Sequence, residues 1–392
     1  MNKSQKNIPA LRFPEFKGEW EKKKLGDLLE FKNGINASKE QYGHGVKFIN
    51  VLDILNNEFI TYDKIIGSVD VDVATVNKYP VNYGDILFQR SSETREEVGS
   101  ACVYLDNEKI ATFGGFVIRG RKIGDYIPIF FNKLLKTDLS RDEITSKSGG
   151  STRYNVGQGI LSSISLPFPS LTEQQKIANF LTSVDDKLTQ LKQKRTLLQQ
   201  YKKGVMQKFL SQELRFKDEN GKEFPKWEKK KLGEISIKKA SNISANKIEE
   251  NIGEYIIYGA SGILKKVDFF KEENDYISII KDGAGVGRLF YCNGKSSVLG
   301  TMEIIKPKSE ISTYFMYCLL SNIDFIKYVT GSTIPHIYFK DYSQEICCIP
   351  CLAEQTKIAN FLSAIDEKIN HCQAQIEKTE GWKKGLLQRM FV

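Results

Sequence analysis

Residues 171–181 read Leu-Thr-Glu-Gln-Gln-Lys-Ile-Ala-Asn-Phe-Leu, and residues 352–362 repeat them as Leu-Ala-Glu-Gln-Thr-Lys-Ile-Ala-Asn-Phe-Leu. An earlier block, Trp-Glu-Lys-Lys-Lys-Leu-Gly at residues 20–26, also returns, at residues 227–233. Each copy of this earlier block follows a Leu-Arg-Phe. Two blocks that recur in the same order indicate an internal duplication of one structural unit.

The two copies differ in length only between these blocks, where the second copy is about 26 residues shorter. From Gly150-Ser-Thr152, matched by Gly331-Ser-Thr333, both copies align without a gap. A constant C-terminal part therefore follows a variable N-terminal part. We predict a globular domain over 1–170, a helix over 171–212, a second globular domain over 213–351 and a second helix over 352–392.

The C-terminal part of each copy has the apolar pattern of a coiled coil. Apolar residues recur in steps of four and three from Ile177 to Phe209, and the second copy keeps this register from Ile358 to Met390. A period of 3.5 residues over about five heptads is typical of a helix-pairing seam. We therefore predict an antiparallel, pseudo-twofold coiled coil within the chain; two separate surface helices are the alternative. A capping box of Ser170 with Glu173, or of Thr172 with Gln175, would begin the first helix.

Both predicted helices contain an aromatic-Lys-Lys-Gly sequence at equivalent positions. A glycine inside a helix costs about 1 kcal/mol relative to alanine, so its recurrence predicts close packing, against either the other helix or a partner protein. The candidate partner-docking residues are Tyr201, Lys202, Lys203, Trp382, Lys383 and Lys384.

The variable parts read as short strands separated by Gly, Asn and Pro, with few helices, which indicates an α+β fold. In the first copy we predict strands at 47–51, 85–90, 101–105 and 113–119 and a helix at 129–136. In the second copy we predict strands at 255–258, 276–281, 288–292 and 298–305 and a helix at 314–320.

Loops between these strands carry basic, hydroxyl and aromatic residues at matching places in both copies. Arg and Lys can contact guanine or phosphate, and hydroxyl side chains can contact bases or phosphate; ordinary solvated turns are the alternative. The net charge of +9 fits a polyanionic partner such as nucleic acid. The candidate DNA-binding residues are Arg90, Ser91, Ser92, Arg95, Arg119, Arg121, Lys147, Ser151, Thr152, Arg153, Tyr258, Ser261, Lys281, Arg288, Ser332, Thr333 and His336.

Patterns typical of catalysis or metal binding are weak. The glycines at 283, 285 and 287 follow a predicted strand, but another strand pattern follows them, so a hairpin loop is a better interpretation than a cofactor site. Cys348 and Cys351 form one Cys-x-x-Cys where structural zinc needs four ligands, and the three histidines are scattered. We expect no catalysis by this chain alone and no bound metal.

The composition predicts a cytoplasmic protein. No apolar run approaches the roughly 18 residues of a membrane span, and the N-terminal residues lack the apolar core of a signal peptide. Seven unevenly spaced cysteines do not suggest a disulfide framework.

The whole set of features resembles the specificity subunit of type I restriction-modification systems, over nearly the whole chain. The resemblance lies in both Trp-Glu-Lys-Lys-Lys-Leu-Gly blocks, Gly84-Asp-Ile-Leu-Phe88, Lys281-Asp-Gly-Ala-Gly-Val-Gly287, both Gly-Ser-Thr segments and both Glu-Gln-x-x-Ile-Ala-x-Phe-Leu helix starts.

The resemblance implies two target-recognition domains that each read half of a split, asymmetric sequence in double-stranded DNA, with the paired helices as a spacer. It also implies two modification subunits, which carry S-adenosylmethionine and methylate adenine, and restriction subunits, which use ATP and Mg for translocation and cleavage. This chain itself would hold no cofactor. A DNA-binding scaffold unrelated to modification and a self-sufficient methyltransferase remain as alternatives.

Overall fold

The structure, a computed structural model, describes residues 7–392, so the first six residues of the predicted N-terminal domain lie outside the described part. The chain divides into two compact units. The first unit extends to Gln190 and includes Gln375–Val392, and the second unit comprises Leu191–Ala374. Both units mix helices with small sheets, so the α+β prediction is confirmed.

The first unit contains short strands and helices and parts of both long helices. Its strands are β1 (Glu21–Lys24), β2 (Leu29–Asn33), β3 (Tyr42–Ile49), β4 (Ser68–Val69), β5 (Ile86–Gln89), β6 (Ser91–Ser92), β7 (Ala101–Val103), β8 (Thr112–Phe113), β9 (Val117–Lys122), β10 (Tyr154–Asn155) and β11 (Ser165–Phe168). Its short helices are α1 (Leu25–Leu28), α2 (Val51–Asn56), α3 (Val73–Lys78), α4 (Pro128–Leu134), α5 (Asp138–Ser146) and α6 (Gln158–Ser163). The long helix α7 (Leu171–Leu210) follows.

The second unit repeats this plan in fewer elements. Its strands are β12 (Glu228–Lys231), β13 (Ser236–Ala240), β14 (Tyr255–Gly259), β15 (Gly262–Val267), β16 (Tyr276–Ile280), β17 (Leu289–Cys292), β18 (Ser296–Val298), β19 (Met302–Pro307) and β20 (Ile346–Ile349). Its helices are α8 (Leu232–Ile235), α9 (Thr313–Ser321) and α10 (Phe339–Tyr342), followed by the second long helix, α11 (Leu352–Met390).

The sheets of the two units have the same topology. An antiparallel four-stranded sheet has the order β2-β9-β5-β7 in the first unit and β13-β19-β16-β17 in the second. A three-stranded sheet, β4-β3-β8 or β15-β14-β18, has one antiparallel and one parallel pairing in each case. The duplication inferred from the sequence is therefore a duplication of fold.

The two repeated sequence blocks meet in the structure. The Lys-rich strand β1 pairs with β11, the strand that leads into α7, and β12 pairs with β20 before α11 in the same way. The first block thus anchors the start of the long helix that the second block forms, which explains why both blocks are kept in both copies.

A buried glutamate joins these parts in each unit. Glu173 of α7, only 1% exposed, accepts two hydrogen bonds from Arg12, at 2.7 and 2.8 Å, and one from Trp20 Nε1 at 3.3 Å. In the second unit the buried Glu354 accepts two from Arg215, at 3.0 and 2.7 Å, and one from Trp227 Nε1 at 3.0 Å. We call each set the glutamate clasp.

The predicted capping box of Ser170 with Glu173 forms only one of its two hydrogen bonds. Ser170 does accept a hydrogen bond from the Glu173 backbone N–H at 3.4 Å. The Glu173 carboxylate, however, bonds to Arg12 and Trp20 rather than returning to the start of the helix. A hydrogen bond between the carboxylate and the charged guanidinium of Arg12 is stronger than a bond to a neutral backbone N–H.

Most residues of the predicted seams are buried, whereas Leu198, Val205 and Ile369 are half-buried, and the helices pair antiparallel within each unit. In the first unit the core contains Ile177 and Leu181, near the start of α7, with Leu386 and Met390, near the end of α11. In the second unit Phe209, at the end of α7, shares a core with residues from the start of α11.

One ion pair between the helices occurs in both units at equivalent positions. Lys383 lies 2.7 Å from Asp185 in the first unit, and Lys202 lies 2.6 Å from Asp366 in the second. The same ion pair therefore recurs inside each unit, as expected from the duplication.

Some predicted strand limits were wrong. The predicted strand at 47–51 ends at Ile49, because Asn50 and Asp53 form a capping box that begins α2. The predicted strands at 113–119 and 298–305 are each broken into two by turns at 114–116 and 299–301.

We predict that Glu354→Ala lowers the free energy of unfolding by about 3–5 kcal/mol, because the half-buried Arg215 would lose its counter-charge and the buried Trp227 Nε1 would lose its acceptor. Urea unfolding followed by circular dichroism measures the loss. The exposed Glu367 on the same helix is the matched control, and Glu367→Ala should change stability by no more than about 0.5 kcal/mol. Equal unfolding midpoints for the two variants would contradict the role of the clasp.

Candidate nucleic-acid interface

The Gly-Ser-Thr segment of the first unit is the tip of a short hairpin. Gly149 and Asn155 exchange two backbone hydrogen bonds, at 3.0 and 2.8 Å, so that Ser151, Thr152 and Arg153 form an exposed loop. Gly150 has a φ of +115°, a conformation that side chains disfavour. The sequence Gly-Ser-Thr therefore encodes a protruding loop of hydroxyl and basic groups.

This hairpin is attached to the loop that follows the central strand β5. Strand β10 of the hairpin pairs with β6, and Val156 donates a backbone hydrogen bond to Arg90 O at 3.0 Å. The structure thus brings together three predicted residues from the β5 loop, Arg90, Ser91 and Ser92, with the three from the hairpin loop. Arg90 is exposed, whereas Ser92 is buried. We call residues 90–100 with residues 149–155 the first reader surface.

The second unit builds the same arrangement from different side chains. Thr330 and His336 exchange backbone hydrogen bonds of 2.9 and 2.8 Å, and Ser332 and Thr333 are exposed between them. The hairpin is tied to the loop after β16 by Ile337 N–H, which donates to Lys281 O at 3.0 Å. We call residues 281–288 with residues 330–336 the second reader surface.

Neighbouring turns extend both reader surfaces. Arg90 donates from Nη1 to Gly115 O at 3.3 Å, and its backbone N–H bonds to Phe116 O. Arg288, which is exposed, donates to Ala260 O at 3.2 Å and so lies beside Ser261, another exposed predicted residue.

Two predicted basic residues of the first unit have side chains that contact the last turn of α5, just before the hairpin. Arg95 donates to Thr145 O at 3.2 Å, and Lys147 pairs with Glu143 at 2.6 Å. Both side chains are exposed; Arg95 belongs to the first reader surface and Lys147 borders it.

Arg119, Arg121 and Tyr258 are placed away from the reader surfaces. Arg119 is 3% exposed, and both arginines donate to Pro80 O, Arg121 at 3.1 Å. Burial lowers the pKa of Arg119, and the nearby charge of Arg121 lowers it further. The strand β9 on which they lie directs them toward Pro80, and Tyr258 is also buried.

Sequence reasoning missed two exposed aromatic residues beside the reader surfaces. Phe116, 61% exposed, adjoins Arg90, and Tyr338 contacts the ring of His336 at 4.9 Å between centroids. Aromatic side chains that remain exposed can stack on bases. The pair of glycines before Phe116 was a signal of an exposed turn.

The glycine-rich segment 283–287 is a hairpin loop between the antiparallel strands β16 and β17, as predicted. Its three glycines have φ values between +83° and +85°. A cofactor-binding glycine turn would lead into a helix, and β17 follows instead. Within residues 7–392, no three His, Cys, Asp or Glu side chains are grouped as metal ligands would be, and no helix has the length and apolarity to cross a membrane.

The predicted docking residues divide into two classes. Lys202 and Lys383 are the cations of the ion pairs between the helices. Tyr201, Lys203, Trp382 and Lys384 are exposed. A Cβ added at Gly204 or Gly385 would meet no heavy atom outside its own helix within 4 Å, so packing against the other helix does not explain these glycines.

Comparison with known proteins gives a consistent family across the chain. The model of the type I restriction modification DNA specificity domain matches residues 17–200 and again residues 225–379. The type I restriction enzyme MjaIX specificity subunit of Methanocaldococcus jannaschii is 25% identical over 413 residues, covering 95% of this chain and 92% of that protein. The putative MjaX specificity subunit of the same organism is 25% identical over 414 residues, covering 99% and 96%.

A solved structure is similar over its full length. The S subunit of the type I restriction-modification system from M. genitalium has a TM-score of 0.63 at 19% identity, covering 98% of this chain and 99% of that one. This similarity supports the fold described above.

We predict that Arg90→Ala and Arg119→Ala have opposite effects on DNA binding and stability. Loss of the exposed Arg90 should weaken binding to duplex DNA about tenfold and leave the urea unfolding midpoint unchanged. Loss of the buried Arg119 should lower the free energy of unfolding by about 1–3 kcal/mol, because the Pro80 carbonyl loses one of its two donors and the buried Asp85 loses its nearby cation. Fluorescence anisotropy and urea unfolding measure the two effects, and weaker DNA binding by a stable Arg119→Ala variant would contradict this assignment.

Proposed function

Because this chain belongs to the type I restriction modification DNA specificity family, we propose that it selects the DNA target of a type I restriction-modification complex. Each reader surface contacts one half of a bipartite sequence. This proposal rests on one observation: each unit has a reader surface at the same place in the same sheet topology, and the basic side chains of the two surfaces differ.

The chemistry of the reader surfaces fits contact with DNA. Exposed hairpin loops present hydroxyl groups, which bond to phosphates or base edges, and arginines, which bond to guanine or phosphate. Both surfaces expose a Ser-Thr pair, to which the first adds Arg90 and Arg153 and the second adds Arg288. Because these sets differ, the two halves of the target should differ in sequence.

The long helices are the proposed docking sites of two modification subunits. Residues that are exposed and yet identical in both copies have no packing reason to be kept; they include Asn179 with Asn360, Lys187 with Lys368, and Lys203 with Lys384. The open space beside Gly204 and Gly385 adds room for a partner to approach closely. The restriction subunits, S-adenosylmethionine, ATP and Mg belong, in this proposal, to the rest of the complex.

A methyl-transfer assay tests whether the catalytic groups belong to the modification subunit and not to this chain. The purified chain is mixed with DNA and labelled S-adenosylmethionine, with and without its modification subunit. We expect methyl transfer only when the modification subunit is present, because in this proposal the chain selects the target sequence and the modification subunit supplies the catalytic groups. Transfer by the chain alone would refute the proposal.

The same assay tests docking on the helices. The double variant Tyr201→Ala with Trp382→Ala should reduce transfer at limiting modification subunit by about tenfold, since exposed aromatic residues are common anchors of interfaces. Leu197 is the control, because it is exposed on α7 but corresponds to Lys378 in the second copy. Leu197→Ala should behave as wild type, and an equal loss for both would argue against the docking sites.

A further inference from the structure

In the first unit, the chain covers the outer edge of its own four-stranded sheet. Ile60 donates a backbone hydrogen bond to Val103 O at 2.9 Å and accepts one from Leu105 N–H at 2.9 Å. The side chain of Asn132 accepts the remaining outward N–H of Val103 at 3.0 Å. Strand β7 is therefore buried along its whole length.

The covering segment, residues 57–60, is opposite in charge to the lysines around it. Glu58 forms ion pairs with Lys133 and with Lys383, and Lys136 donates to its backbone carbonyl at 2.8 Å. Burial alone would raise the pKa of Glu58, but the charges of these lysines lower it to about 2. An acidic segment thus lies against a basic lining.

The second unit has no such covering segment among its described residues. The connection that supplies it in the first unit, residues 50–67 between β3 and β4, is reduced to residues 260–261 between β14 and β15. This difference accounts for most of the shorter length of the second globular part.

The edge strand of the second unit, β17, is consequently open. Ile280 N–H donates to Arg288 O at 3.0 Å, which fixes which residues of β17 bond to β16. In an antiparallel pair every second residue bonds to the neighbouring strand. The backbone N–H and C=O groups of Leu289 and Tyr291 therefore point away from β16. The strand registers of the two sheets align Tyr291 with Val103, the residue whose carbonyl accepts a hydrogen bond from Ile60 in the first unit.

A groove of about 710 Å³ lies along this open edge, between β17, α9 and the first turns of α11. Tyr291 contacts Tyr314 and Tyr317 edge-on, at 5.4 and 5.8 Å between ring centroids. Asp366 and Glu367 are the charged residues of its lining. Asp366 is held by Lys202 and by the Tyr314 hydroxyl, whereas Glu367 is exposed.

The lining therefore lacks the two lysines that contact the covering segment in the first unit, and it keeps the carboxylates that both units share. Lys133 and Lys136 of the first unit align with Cys318 and Ser321 of the second, because the Trp20–Phe130 contact recurs there as Trp227–Phe315. A lining with the exposed carboxylate of Glu367 and no Lys or Arg among its residues favours an occupant that carries Lys or Arg, through ion pairing.

We propose that the open edge of β17 binds an extended segment of the modification subunit that carries Lys or Arg. The segment adds a strand where residues 57–60 complete the first unit, a recognised mode of peptide binding. The inference rests on the proposed function for the identity of the partner. Asn360, one of the exposed residues repeated in both helices, lines the groove, so the groove continues the proposed docking surface. The two modification subunits would then contact the chain differently.

The experiment compares equivalent charge reversals in the two units of the full chain. Glu367→Lys should weaken binding of the modification subunit to its second site about fivefold, because it repels the basic segment. Asp186 occupies the equivalent position on α7, in the unit whose sheet edge is covered, and Asp186→Lys should change affinity less than twofold. Isothermal titration measures both affinities.

Photo-crosslinking identifies the occupant. Benzoylphenylalanine in place of Tyr291 should crosslink to a Lys- or Arg-bearing segment of the modification subunit, whereas the same group in place of the exposed Ile263 should not. A complex that forms normally but gives no crosslink at 291 and equal affinities for both charge reversals would overturn this inference and leave the proposed function intact. Crosslinks to DNA or to a second copy of the chain would also overturn it. No binding of the modification subunit by the wild-type chain would instead refute the proposed function.

Discussion

A single buried carboxylate at the start of each long helix holds three distant parts of each unit in place. Glu173 fixes the segment before β1 through Arg12 and the first strand through Trp20, while the helix it belongs to enters the coiled coil. A buried charge is tolerated only when its hydrogen bonds are satisfied, so Arg12 and Trp20 must accompany it. Glu354 repeats the arrangement with Arg215 and Trp227.

This constraint explains which parts of the duplicated sequence are constant. The clasp, the strand pairs β1–β11 and β12–β20, and the ion pairs of Asp185 and Asp366 recur in both units. The connections beyond them are free to differ, as residues 50–67 and 260–261 do. The main difference in length thus lies in a segment at a sheet edge, which fits the proposal that the two units read different half-sites.

Local patterns in the sequence predicted the elements with a strong period and missed contacts made over long distances. The apolar seam predicted both long helices, because a 3.5-residue repeat depends only on neighbouring residues. Glu173 was interpreted as a capping residue because its partner Arg12 lies 161 positions away. Similarly, Arg119 resembles an exposed loop arginine in sequence, and only the pairing of β9 shows it buried. The assignment of individual DNA contacts within the reader surfaces stays a prediction.

The central claim is that each unit reads its own half of the target. Replacing residues 20–170 with those of another member of the family, and mapping the methylated positions in DNA modified by the resulting complex, tests it most directly. We expect one half of the recognised sequence to change while the other half is retained, because in the proposed function each reader surface contacts only its own half. A change in both halves, or in neither, would contradict it.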